Sequence, residues 1–124
     1  MEPEALNLPA VALGAILAFV WGMILYHPRV AGSAWARGSG IETGGATPAA
    51  AIILQALGLI ALALVVGMTA TISYLGTAIL AILAVALMVV SSGAFQRKSG
   101  GAMAIDGLYA VIAGALMILA QAVL

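Results

Sequence analysis

Four long apolar runs, almost free of charged residues, are the feature that most limits what this chain can fold into. They extend from about 8 to 26, 48 to 68, 72 to 95 and 103 to 124. A helix needs about 20 apolar residues to cross a bilayer. Only 6% of the 124 residues are charged, against about 25% in soluble domains. The runs therefore predict one all-α domain of four transmembrane helices in an antiparallel bundle.

Short segments rich in helix-ending residues separate these runs. Pro48 suits the first position of the second helix, with Thr47 as its cap. Gly67 predicts the end of that helix, and Thr69 or Thr71 predicts the cap of the third. The second and third helices are therefore expected to form a tight hairpin.

The basic residues predict how the chain is oriented. Arg29 and Arg37 follow the first run, and Arg97 and Lys98 follow the third. In a four-span chain both positions lie on the same side of the membrane, and basic residues close to the ends of spans mark the cytoplasmic side. We therefore expect both termini on the opposite, periplasmic side.

The segment 28–38 carries its own periodicity. Arg29, Ser33 and Arg37 recur at every fourth residue, with Trp35 on the other side. This spacing predicts a short amphipathic helix lying in the membrane interface, with its tryptophan toward lipid and its arginines toward water. Gly38 is expected to end it. An irregular loop with one aromatic anchor is the alternative.

Small residues mark a packing face on the first run. Gly14, Ala18 and Gly22 recur at every fourth residue, and small residues let helix backbones approach closely in lipid. Packing within one bundle is the favoured interpretation. The alternative is that this ladder faces another subunit.

Asp106 is the most informative single residue, because an ionisable side chain inside a span indicates function by default. We place it in the first turn of the fourth helix, where the helix dipole favours a carboxylate. The interpretations left open are a structural partner of a nearby basic residue and a site that handles protons or ions.

His27 follows the first run, where it could complement the helix dipole or donate to a carbonyl or to Asp106. Topology brings it to the same membrane face as the other polar residues near these loops. This predicts a cytoplasmic-side polar cluster of His27, Arg29, Arg37, Arg97, Lys98 and Asp106.

Several classes of function are not indicated. The chain contains no cysteine and one histidine, which is poor support for a metal site, and no nucleophile–base pair or phosphate-binding loop is apparent. A formal net charge of zero gives no general attraction to nucleic acid. We therefore expect no catalytic residues, cofactor, metal or nucleic-acid partner.

The most distinctive residues resemble an uncharacterised family of small bacterial integral membrane proteins, catalogued as the domain of unknown function 1761. The family's first span ends in a glycine, then Tyr-x-Pro, Gly-x-x-Trp and Gly-Ile, and its last span has an asparagine three residues before a tyrosine. The matching residues are Gly22, Tyr26, Pro28, Gly32, Trp35, Gly40, Ile41 and Tyr109. Asp106 stands where the family often has asparagine. The resemblance implies four spans and the bacterial inner membrane, with no established activity.

The middle layer of every run is aliphatic or small, whereas a transport pathway needs polar lining near the midplane. The sequence therefore predicts a non-enzymatic accessory or assembly subunit, associated with lipid and with other membrane-protein subunits or its own copies. A small oligomeric transporter or channel that uses Asp106 as its coupling site is the alternative.

Overall fold

The computed structural model describes residues 6–41, 48–72 and 74–124, and all regular structure in these ranges is helical. Four helices within these ranges are long and apolar enough to cross a membrane, which confirms the predicted all-helical class with four apolar spans. They are α1 (Leu8–Leu25), α3 (Ala49–Ala70), α4 (Leu75–Phe95) and α5 (Gly100–Val123), and the short helix α2 (Ser33–Ser39) follows a π-helical segment, Pro28–Gly32.

Side-chain caps explain where two of the long helices begin. The Asn7 carboxamide oxygen accepts the backbone N–H of Ala10 at 3.1 Å, and the Ser99 hydroxyl accepts that of Ala102 at the same distance. Each bond satisfies an amide that has no partner within its helix. Because Ser99 is the cap, α5 begins at Gly100, three residues before the predicted start.

The connection between α3 and α4 differs from the prediction. α3 runs past Gly67 to Ala70, and the hydroxyls of Thr69 and Thr71 donate back to carbonyls of its last turns, at 2.9 and 2.7 Å. Neither threonine caps α4, so that prediction is wrong. The predicted Thr47 cap of α3 lies outside the described residues.

The small-residue ladder of α1 lies inside the chain, against α5. Ala18 is fully buried. A Cβ on Gly14 would lie 3.0 Å from the Met117 Cα, and one on Gly22 would lie 2.8 Å from the Tyr109 ring. The alternative in which this ladder faces another subunit is therefore wrong, because α5 already covers it.

α5 is the helix around which the others pack. It contacts α1, α2, α3 and α4, and its inward side chains join those of α1, α3 and α4 in one core. The buried core residues are Val11, Ala18, Leu59, Ala63, Val66, Ala78, Ile82, Ala113 and Met117. Small residues on α5 allow this close approach, as expected for helices that associate in lipid.

The contact between α4 and α5 yields the first prediction. A Cβ on Gly114 would lie 2.5 Å from two carbons of Ile82, and this buried β-branched side chain has little rotameric freedom. Gly114→Ala is therefore expected to lower the free energy of unfolding by ~1–3 kcal/mol, measured by denaturant titration in mild detergent.

Gly58 on α3 is the matched control, because a Cβ there meets nothing within 4 Å. Gly58→Ala is expected to leave stability unchanged or to raise it by up to ~1 kcal/mol. Equal losses for both variants would contradict the packing described for α4 on α5.

A buried ion pair and its aromatic enclosure form the candidate functional site

Asp106 and Lys98 form a buried ion pair at the end of the molecule where α5 begins. The Lys98 Nζ lies 3.1 Å from the Asp106 Oδ2, and Asp106 is 6% exposed. Lys98 belongs to the connection between α4 and α5. Since α5 begins at Gly100, Asp106 lies about two turns into the helix. The prediction that it occupies the first turn is wrong.

Tyr26, directly after α1, forms a hydrogen bond to the second oxygen of the same carboxylate. Its hydroxyl donates to the Asp106 Oδ1 at 2.5 Å. Burial of the phenol, and then its hydrogen bond to Asp106, raise the pKa of Tyr26 above its usual value, so the phenol stays protonated and remains a donor. Asp106 thus has two donors from two different parts of the chain.

Trp35 of α2 covers this pair. Its ring meets the Tyr26 ring edge-on, with centroids 5.2 Å apart, and the Lys98 Nζ lies 5.1 Å from its centroid. An ammonium over an indole face gains cation–π attraction in addition to its ion pair. The sequence predicted that Trp35 would point toward lipid, but it faces inward because Tyr26 and Lys98 form its contact surface.

Tyr109 completes the enclosure from α5. Its ring centroid lies 5.5 Å from that of Tyr26, its hydroxyl accepts a hydrogen bond from the Gln55 amide of α3, and its backbone carbonyl accepts the Trp21 indole N–H at 3.2 Å. Here "the Asp106 cluster" denotes Tyr26, Trp35, Lys98, Asp106 and Tyr109. The hydrogen bond from Gln55 also ties this cluster to α3.

The segment between α1 and α2 folds back so that Trp35 can reach the ion pair. The His27 carbonyl accepts the N–H groups of Val30 and Gly32, at 2.9 and 3.0 Å, and Pro28 occupies the first π-helical position. A Cβ on Gly32 would overlap the Tyr26 carbonyl oxygen. Only glycine therefore allows this close approach. At the other end of α2, Gly40 has φ 72° and ends the helix two residues later than the predicted Gly38.

The other residues of the predicted polar cluster lie on the surface. His27 caps the π-helical segment, since its Nδ1 accepts the Arg29 backbone N–H at 3.1 Å. His27, Arg29, Arg37 and Arg97 are exposed. Of the six residues in that prediction, the contacts between side chains in the described ranges join only Lys98 and Asp106.

The sequence did not reveal which residues surround Asp106. Tyr26, Trp35 and Tyr109 belong to the family-like motif, for which no shared role was predicted, and they are the three aromatic members of the Asp106 cluster. The available signal was their placement, because all three lie at the ends of the spans that carry basic residues. In the described ranges, no group of three or more His, Asp or Glu side chains is arranged to hold a metal ion.

Comparison with known protein families identifies the chain. The family model described as protein of unknown function DUF1761 matches residues 9–121. The chain belongs to the DUF1761 family. This confirms the resemblance given by the motif residues, and the matched range contains every member of the Asp106 cluster. No curated protein and no solved structure matches the chain, so the DUF1761 assignment brings no activity with it.

Proposed function

We propose that α1, α3, α4 and α5 cross the bacterial inner membrane as an antiparallel bundle, with both termini on the periplasmic side. Their length and apolar composition support this. All four basic residues lie between α1 and α3 or between α4 and α5, as the preference of basic residues for the cytoplasmic side requires. In this arrangement the π-helical segment and α2 occupy the cytoplasmic interface.

The function we propose is that of a non-enzymatic accessory or assembly subunit, which packs against a larger membrane complex or its own copies. The observation that carries this proposal is the closely packed, apolar interior beyond the Asp106 cluster, where Ala18, Ala63, Ile82, Ala113 and Met117 meet. A pathway for ions or solutes needs polar lining at this level. The packing therefore favours a structural role over transport.

The uncovered surface of α3 supports association with another protein. α3 is exposed at every residue from Ala49 to Gln55, so its first two turns are little covered by the rest of the chain. An apolar groove of about 280 Å³ separates its next turns from α1. Its lining residues are Ala15, Ile16, Phe19, Val20, Ala56, Leu59 and Ile60.

The test is extraction from the native membrane in mild detergent at the endogenous expression level, followed by native mass measurement. The expected result is an assembly heavier than the single chain, whose other components are identified from the same sample. A stable lone monomer would contradict the accessory role. Dilution of the extract before the measurement controls for association caused by high concentration.

A transporter that uses Asp106 as its coupling site is the second candidate. The observation in its favour is that Asp106 is buried and lies beyond the first turn of α5. The accessory role predicts that vesicles containing either wild-type protein or Asp106→Asn show the same proton and ion flux as empty vesicles. Flux that is present in the wild type and lost in Asp106→Asn would favour the transporter, provided that Asp106→Asn inserts into the vesicles and keeps the wild-type denaturation midpoint.

A further inference from the structure

The surface arginines near α2 carry charge that the rest of the described structure does not neutralise. Arg29, Arg37 and Arg97, here called the basic rim, are all exposed. Within residues 6–41, 48–72 and 74–124, Asp106 is the only carboxylate side chain, and Lys98 and Tyr26 occupy both of its oxygens. No carboxylate side chain in those ranges is therefore left to pair with the basic rim, whose three arginines are exposed.

The backbone holds two parts of this rim together. The Ser99 N–H donates to the Gly38 carbonyl at 2.8 Å, which joins the end of α2 to the start of α5. Arg37 immediately precedes Gly38, and Arg97 lies two residues before Ser99. Arg29 lies at the other end of the same short segment, so the basic rim extends from the end of α1 to the start of α5.

Large exposed apolar side chains lie close to these arginines in the sequence. Val30 adjoins Arg29, Ile41 lies one turn after Arg37, and Phe95 lies two residues before Arg97. All three apolar residues are exposed, and Phe95 is 87% exposed. Basic side chains interleaved with exposed apolar ones are typical of segments that bury apolar groups at the acyl boundary and place cations among headgroups.

We propose that the basic rim binds the phosphate headgroups of anionic phospholipids in the membrane leaflet that contacts α2. Val30, Ile41 and Phe95 enter the acyl region beneath it. This inference rests on the proposed insertion of the four long helices in a membrane but not on the accessory role. Guanidinium groups pair with phosphate through two parallel hydrogen bonds, and each basic residue near an anionic surface contributes roughly fivefold to lipid affinity.

The experiment measures lipid retention by purified protein with native mass spectrometry in mild detergent, where membrane orientation plays no part. The probes are phosphatidylglycerol and phosphatidylcholine with identical acyl chains, added in equal amounts. We expect wild-type protein to retain phosphatidylglycerol several-fold more than phosphatidylcholine, and the preference to fall as salt rises, because surface charge is screened. Equal retention of the two lipids would overturn the proposal.

Two sets of variants separate charge from folding. The lipid preference should be abolished in the triple variant Arg29→Gln, Arg37→Gln, Arg97→Gln. A triple variant with lysine at the same positions keeps the charge and should retain most of the lipid preference. A preference that survives the glutamine changes, or one abolished by soluble glycerol phosphate at millimolar concentration, would refute a lipid site at the basic rim. Glutamine variants that keep the wild-type denaturation midpoint exclude misfolding as the cause.

The outcome is independent of the accessory role. If the chain prefers phosphatidylglycerol but is extracted from native membranes as a lone monomer, the lipid site is supported and the accessory role is contradicted. If the chain is found in a larger assembly but shows no lipid preference, the accessory role is supported and the lipid site is contradicted.

Discussion

Asp106→Ala is expected to lower the free energy of unfolding by about 3–5 kcal/mol, because removing one member of a buried ion pair leaves the other charge uncompensated. Lys98 would remain largely buried against Trp35, with its side chain only 13% exposed. The Tyr26 hydroxyl would lose its acceptor at the same time. Denaturant titration in mild detergent, followed by the tryptophan signal, measures the loss.

A double-mutant cycle with Lys98→Met shows whether the pair itself is responsible. Lys98→Met alone should also destabilise, since it leaves a buried carboxylate with one neutral donor, Tyr26. The combined variant is expected to lose less stability than the two single losses added together, because neither charge then remains unpaired. Simple additivity would contradict an energetic coupling between Lys98 and Asp106.

The four long helices could be predicted from the sequence because a bilayer leaves few alternatives. Backbone groups in lipid must be satisfied within the segment, so a long apolar run specifies a helix with little further information. The first and last residues of these helices were not predicted as closely, because local capping decides them. The segment from Ser99 to Gly101 resembled a break between helices, yet the Ser99 hydroxyl makes it the first turn of α5.

The site was only partly predictable, since residues far apart in the sequence decide its contacts. Charge distribution placed Lys98 and Asp106 at the same end of the molecule, but five basic or titratable side chains were possible partners for Asp106. The choice of Lys98 depends on Trp35, whose ring lies beside the Lys98 ammonium. Helical periodicity pointed Trp35 toward lipid, because no local pattern reveals that α2, after the π-helical segment, packs against α5.

Exposure of the Asp106 cluster is the expected result of Gly32→Ala. The added Cβ would overlap the Tyr26 carbonyl oxygen and approach the Tyr26 and His27 carbonyl carbons within 3 Å. These are backbone atoms that cannot rotate away, so the π-helical segment must move and take Trp35 with it. The loss of stability is expected at the upper end of ~1–3 kcal/mol for overpacked sites.

Lys98 reports this movement directly, because it is the only lysine in the chain. Its ammonium is shielded by Trp35 and paired with Asp106, so an amine-acylating reagent should modify it slowly in the wild type and several-fold faster in Gly32→Ala. Peptide mapping separates this modification from that of the amino terminus. Gly100→Ala is the matched control, since it lies two residues from Lys98 but its Cβ meets nothing within 4 Å.

Acylation that is equally slow in Gly32→Ala and the wild type would mean that Gly32 does not hold Trp35 over the ion pair. Faster acylation in Gly32→Ala alone would show that the glycine of the family-like motif serves to close the aromatic cover over Asp106.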